Sequence, residues 1–139
     1  LSVFPRLCAE LLSSQGTAQC SVKGGKDALG RWQLILQVAF RAQQRCQRCL
    51  QPVAQDCENE AAFLIFSDAL SLCQAEIDYP EVDGLLVDAE LDMLLPFEDE
   101  LILALPFAAQ HTQCDLPIKL PDPKPHPFAI LAQLKKSSH

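Results

Sequence analysis

The chain has 139 residues, 49% of them hydrophobic, with seven cysteines and a formal charge of −7. That length suits one domain with a core of its own, and the lack of any run of about 18 apolar residues excludes a membrane-spanning helix. An odd number of cysteines at irregular spacing, with no cleavable signal pattern, argues against a secreted disulfide scaffold and for a reducing cytoplasm.

The net charge hides a segregation. Residues 1–57 carry seven Lys/Arg against three acids, residues 58–115 carry fourteen acids and no Lys or Arg, and residues 116–139 carry four Lys and one Asp. Each pole can meet a different partner.

In chain order, "CAELLSSQG" and "TAQCSV" read as short strands broken at Gly16, and "VKGGKDALG" has the glycines and Asp of a turn. "RWQLILQVAFRA" is the clearest strand. Trp32, Leu34, Leu36, Val38 and Phe40 alternate on one face as core, and Gln33, Gln37 and Arg41 lie on the other. "PVAQDCENEAAFLIF" reads as a further strand. Four strands joined by short turns predict an antiparallel sheet or small open barrel. Cys46 and Cys49 of "QRCQRCLQP" then fall at a hairpin tip, where Pro52 supports a turn.

The second half changes character. An acidic, variable stretch spans about 74–92. "AELDMLLPFEDELILALP" puts Leu94, Phe97, Leu101 and Leu105 on one helical face, predicting a helix near 97–105 with Pro96 in its first turn. "DLPIKLPDPKPHP" is an extended linker over 116–127, and "PFAILAQLKK" predicts a short C-terminal helix near 128–136. The organisation is a single α+β domain over 1–115, the linker, then a helix and tail over 128–139.

"CQRCLQPV", "EDELILALP", "HTQC" and "KPHPFAILAQLKK" stand in this order. Together they resemble the YceD family of large ribosomal RNA subunit accumulation proteins, "EDELILALP" with the "KPHPFAILAQLKK" ending being the specific part. The resemblance implies a cytoplasmic bacterial protein needed for accumulation of large-subunit (23S) rRNA and a place in ribosome biogenesis. Two departures stand out. Pro96 falls where relatives usually continue a helix, and the stretch from Leu72 to Tyr79 is shorter than the acidic insertion expected there.

Several chemistries compete at these residues. Cys46 and Cys49 have the spacing of half a structural zinc site, which His111 and Cys114 can complete, with Cys57 as a second candidate. The alternative is a turn with two buried or half-exposed thiols. Redox activity is disfavoured, because a C-x-x-C between strands lacks the helix N-terminus that lowers a thiol pKa. No Ser–His–acid grouping and no phosphate-binding glycine loop is present, so the chain reads as non-enzymatic.

RNA binding rests on Lys23, Lys26, Arg41, Arg45 and Arg48 in the sheet half, a basic face able to track the phosphates of pre-rRNA or a large-subunit assembly intermediate; the alternative is an ordinary solvated basic surface. Trp32 and Phe40 read as core, leaving aromatic interleaving thin. The acidic half suits an adaptor or chaperone for a basic ribosomal protein or an rRNA-processing factor, or is a solubilising loop. Candidate partner contacts are Glu98, Asp99 and Glu100 (or a merely solvated helix N-terminus) and Phe128 and Leu131 of the C-terminal helix, which docks on its own domain or in a partner groove.

Overall fold

The computed structural model describes residues 1–81, 83–87 and 90–114. The Pro-rich linker 116–127 and the helix near 128–136, with Phe128 and Leu131, lie outside the described residues.

The chain opens with helix α1, Pro5–Glu10. Strand β1, Ala18–Lys26, leads into β2, Trp32–Arg45, and β3, Pro52–Phe66. Helix α2, Ala69–Asp78, precedes β4, Asp83–Leu86, and helix α3 covers Leu94–Leu103. The four strands lie in sequence order in one open sheet. β1, β2 and β3 pair antiparallel, and β4 pairs parallel to β3 after the α2 crossover. Among the described residues no helix is long and apolar enough to cross a membrane.

The α+β class, the open sheet and the β2–β3 hairpin are as expected. The first expected strand is instead α1. Pro5 stands at the start of this helix, where its missing N–H costs nothing and its fixed φ is already helical. The expected turn at 22–30 is narrower, since Lys23–Lys26 continue β1 and pair with Trp32–Ile35. The reversal is made by Asp27, whose carboxylate accepts from the amides of Leu29 and Arg31, and by Gly30 at φ 79°, a backbone conformation that suits glycine. The acidic stretch is not merely a loop, for it contains the end of α2 and β4.

Alternation along β2 divides the sheet into two faces. Val38, Phe40 and Ala42 of β2 and Cys57 of β3 form one buried cluster with Phe4 and Leu7 of the N-terminal segment and Leu101 of α3. Trp32, expected in this core, is 62% exposed; it lies at the far end of the strand and Lys26 Nζ sits 4.6 Å from its ring centre. Leu64 and Phe66 point to the opposite face, where α2 meets the sheet. A Cβ on Gly84 of β4 would strike the Leu72 side chain of α2 and crowd the Phe66 ring, so α2 packs closely over this glycine.

α3 is tied to α1 by "FEDE". Glu98 Oε1 accepts from the amides of Arg6, at 2.6 Å, and Leu7, at 3.2 Å, while Oε2 accepts from Arg6 Nε at 2.8 Å. Asp99 takes the other end of the same guanidinium at 2.8 Å. Glu100 accepts from Asn59 Nδ2 at 2.6 Å. Glu98 and Glu100 are buried, so the reading of this segment as a solvated helix N-terminus is corrected: two of its three acids point into the fold, where amide and guanidinium donors hold them.

Candidate metal centre

The site is built on the hairpin tip. Arg45 ends β2 and Pro52 starts β3 as cross-strand partners, and the five residues after Arg45 fold into a knuckle. Cys46 N–H donates to the Gln51 carbonyl at 2.9 Å, and Leu50 N–H to the Cys46 carbonyl at 2.9 Å. Leu50 takes φ 62° to close the turn, a conformation that a branched residue adopts only at a cost. Both cysteine side chains point inward and are buried.

The other half arrives from beyond α3. Gln47 N–H donates to the Ala109 carbonyl at 2.8 Å, and Ala109 packs with Cys46, Cys49, Val53 and Cys114 in a small cluster separate from the main core. This pairing brings His111 and Cys114 to the knuckle. The donor atoms of Cys46, Cys49, His111 and Cys114 all lie within 4.8 Å of one another. Cys46 Sγ is 3.9 Å from Cys114 Sγ, and Cys49 Sγ is 3.3 Å from His111 Nδ1.

The Cys46–Cys114 sulfur separation is that of a tetrahedral ion's ligands. With metal–sulfur bonds of about 2.3 Å and tetrahedral angles, neighbouring sulfurs stand about 3.8 Å apart. His111 Nε2 lies 3.1 Å from the Pro52 carbonyl. A carbonyl can only accept, so Nε2 is the donor in this contact, and in the neutral ring that leaves the Nδ1 lone pair for an ion among the sulfurs. An outer partner commonly fixes the tautomer of a ligating histidine in this way.

Electrostatics favour ionised sulfur at one position. The backbone amide of Cys49 lowers the Cys46 thiol most; burial opposes it, the amides of His111 and Arg48 add to it, and the result is about 5. Burial and the neighbouring sulfurs push Cys114 up to about 11. The amide donors missing from a strand-borne C-x-x-C are therefore supplied by the knuckle, a correction to the sequence argument against thiol activation. Cys57, the second ligand candidate, is elsewhere. It belongs to the main core, and burial raises its thiol.

The expected RNA-binding residues are dispersed. Lys23, Arg41 and Arg45 share the outer sheet face by register, Lys26 is on the inner face beside Trp32, and Arg48 is exposed on the knuckle. Acids share the outer face: Arg41 Nη1 is 3.5 Å from Asp56 Oδ1, and Glu58 and Glu60 continue the row on β3. One residue that the sequence argument passed over is Phe107, fully exposed between α3 and the cluster; nothing in its pattern distinguished it from core.

Fold and cluster define an α+β protein with an open mixed sheet and a Cys₃His donor set at one hairpin tip. The chain is 36% identical over 105 residues to the large ribosomal RNA subunit accumulation protein YceD of Haemophilus influenzae, an alignment covering 66% of this chain and 58% of that protein. This similarity supports membership of the YceD family. The chain spans less than two thirds of the length of that relative. No family model matches the chain, and no solved structure matches it.

Proposed function

We propose that the chain is a non-enzymatic ribosome-biogenesis factor of the bacterial cytoplasm, needed for accumulation of large-subunit (23S) rRNA. The observation that carries this reading is the 36% identity to a relative named for that role. In this reading the chain binds pre-rRNA or an assembly intermediate through the basic residues of the sheet half, Arg41, Arg45, Arg48, Lys23 and Lys26.

Zinc held by Cys46, Cys49, His111 and Cys114 is the cofactor that best fits the donor set. Three sulfurs and one imidazole satisfy a four-coordinate ion with protein groups alone, as in structural rather than catalytic sites. Its chemistry is that of a staple between the hairpin tip and the segment after α3.

Deletion of the gene in its own host, with the ratio of 23S to 16S rRNA as readout, tests the function. A fall in that ratio, restored by the chain supplied in trans, is expected. An unchanged ratio would overturn it. A second reading, an acidic adaptor for a basic ribosomal protein, is favoured by Asp56, Glu58 and Glu60, all exposed on one sheet face. Partners that survive nuclease treatment in a pull-down would select that reading over the first.

A further inference from the structure

Beside the donor set lies a cleft of about 520 Å³, within the range of small-molecule sites, roughly 300–1,000 Å³. Its apolar lining includes Leu11 and Leu12 after α1 and Ile102 and Leu105 at the end of α3. Gln44, Arg45, Gln47 and Phe107 add to the lining, Arg45 from the end of β2, where its side chain leaves on the outer sheet face. The walls are pinned by two backbone bonds, Leu12 N–H to the Gln43 carbonyl and Gln47 N–H to the Ala109 carbonyl, both 2.8 Å. The cleft is therefore formed before any ligand arrives.

Three observations point to the occupant. Phe107 is fully exposed, with both ring faces available to a flat partner. Arg45 makes no ion pair among the described residues, in contrast to Arg6, Arg31 and Arg41. Gln44 Oε1 is closed to solvent and without a hydrogen-bond partner among the described residues, so a turn of this side chain into the cleft would gain an N–H donor at no loss of an existing bond. A second such oxygen, on Gln55, does not line the cleft. An aromatic surface, an unpaired cation and an unfilled acceptor correspond to the stacking, phosphate and edge contacts by which proteins hold an unpaired nucleotide.

We propose that this cleft binds a nucleotide of single-stranded RNA, its base stacked on Phe107 and hydrogen-bonded through an amino group to Gln44, its phosphate on Arg45. The proposal rests on the rRNA reading above and narrows it, moving the specific contact from the charge-balanced middle of the sheet face to the cleft at the end of β2. Glu10 also lines the cleft, on the α1 side. Its carboxylate repels phosphate there and directs the backbone toward Arg45.

The test uses the full chain and a fluorescein-labelled, mixed-sequence 12-nucleotide single-stranded RNA, followed by anisotropy. Phe107→Ala should weaken binding about tenfold, as loss of one stacked base does. Arg45→Ala should lower the slope of log K against log salt by about one contact's worth, and Glu10→Gln should tighten binding. Trp32→Ala, an exposed aromatic outside the cleft, should bind as the parent. Unchanged melting of Phe107→Ala excludes a folding defect, because the side chain is already in solvent.

Parent-like binding by both Phe107→Ala and Arg45→Ala overturns the cleft and leaves the biogenesis role intact. No binding by the parent chain, in a host whose 23S rRNA depends on it, does the same. Strong amide protection at Phe107–Ala109 without added RNA, showing the cleft filled by residues 115–139 or a second copy, also overturns it. A Phe107→Ala defect in a host with normal 23S rRNA after deletion supports the cleft while the biogenesis role fails.

Discussion

Glu98 caps a helix to which it does not belong. Its carboxylate sits over the first turn of α1 and accepts from the amides of Arg6 and Leu7, residues more than 90 positions away in sequence. Those amides are among the first four of a helix, which have no partner within it. Replacing Glu98 with Gln should lower the melting temperature by several degrees, with loss of α1 protection in hydrogen exchange. A parent-like melt would show that the contact contributes nothing.

The same residue predicts a pH dependence. Burial works against ionisation of Glu98, but donation from the Arg6 guanidinium and from the amides of Leu7 and Arg6 prevails and holds its carboxyl below the ordinary glutamate range. A depressed folded-state pKa means that the unfolded chain binds the proton more readily. Its stabilisation is thus present above the unfolded value, about 4.3, and is lost as pH falls through the folded one. Urea unfolding between pH 3 and pH 7 should show a steep acid limb that is flatter in Glu98→Gln.

Glu100, two residues on, has the opposite sign. Burial raises its pKa; the Asn59 bond counters this, and the charges of Asp83 and Asp99 add to the rise. The folded state then holds the proton more tightly, so this group's stabilising share is full at low pH and is lost as pH rises through the folded value. Glu100→Gln keeps an acceptor for Asn59 and removes the buried charge. It should melt higher than the parent at pH 7, with the gain shrinking as pH falls. A gain independent of pH would point to packing instead.

For the donor set, elemental analysis of protein made without chelator should find about one zinc per chain. Cys49→Ser and His111→Ala should each lose most of it, and Cys57→Ser should retain it. Chelation should lower the melting temperature of the parent and leave Cys49→Ser unmoved, because an ion that binds the folded state stabilises by mass action. Metal-free protein with an unchanged melt would remove zinc from the account.

Gly84→Ala addresses the α2 crossing. The new methyl would meet Leu72 and the Phe66 ring, and overpacking of this kind costs about 1–3 kcal/mol. Equilibrium unfolding measures it; a variant as stable as the parent would mean that α2 sits loosely on the sheet.

What the sequence reveals depends on how local the cause is. β2 and β3 are legible because Leu36, Val38 and Phe40 alternate strictly, and the hairpin tip follows from where they end. The donor set is legible as spacing, since Cys46 and Cys49 form half a site and His111 and Cys114 stand just past a helix. α1 is misread because six residues are too few for a helical period to show, and Pro5 alone announces it. β4 is four residues within an acidic run, and its pairing is decided by β3 and α2 rather than by its own pattern. The exposure of Phe107 and Trp32 and the burial of Glu98 and Glu100 depend on distant neighbours, which no local pattern records.

Cys46 and Cys114 lie 68 positions apart, yet their sulfurs share one small volume. An ion joining them would close a loop around β3, α2, β4 and α3, and the entropy lost in closing such a loop grows only slowly with its length. An unfolding chain that kept its ion would remain a ring rather than an open coil, with fewer conformations in which to lose its register. The order in which such a chain comes apart would be set by when it releases the metal.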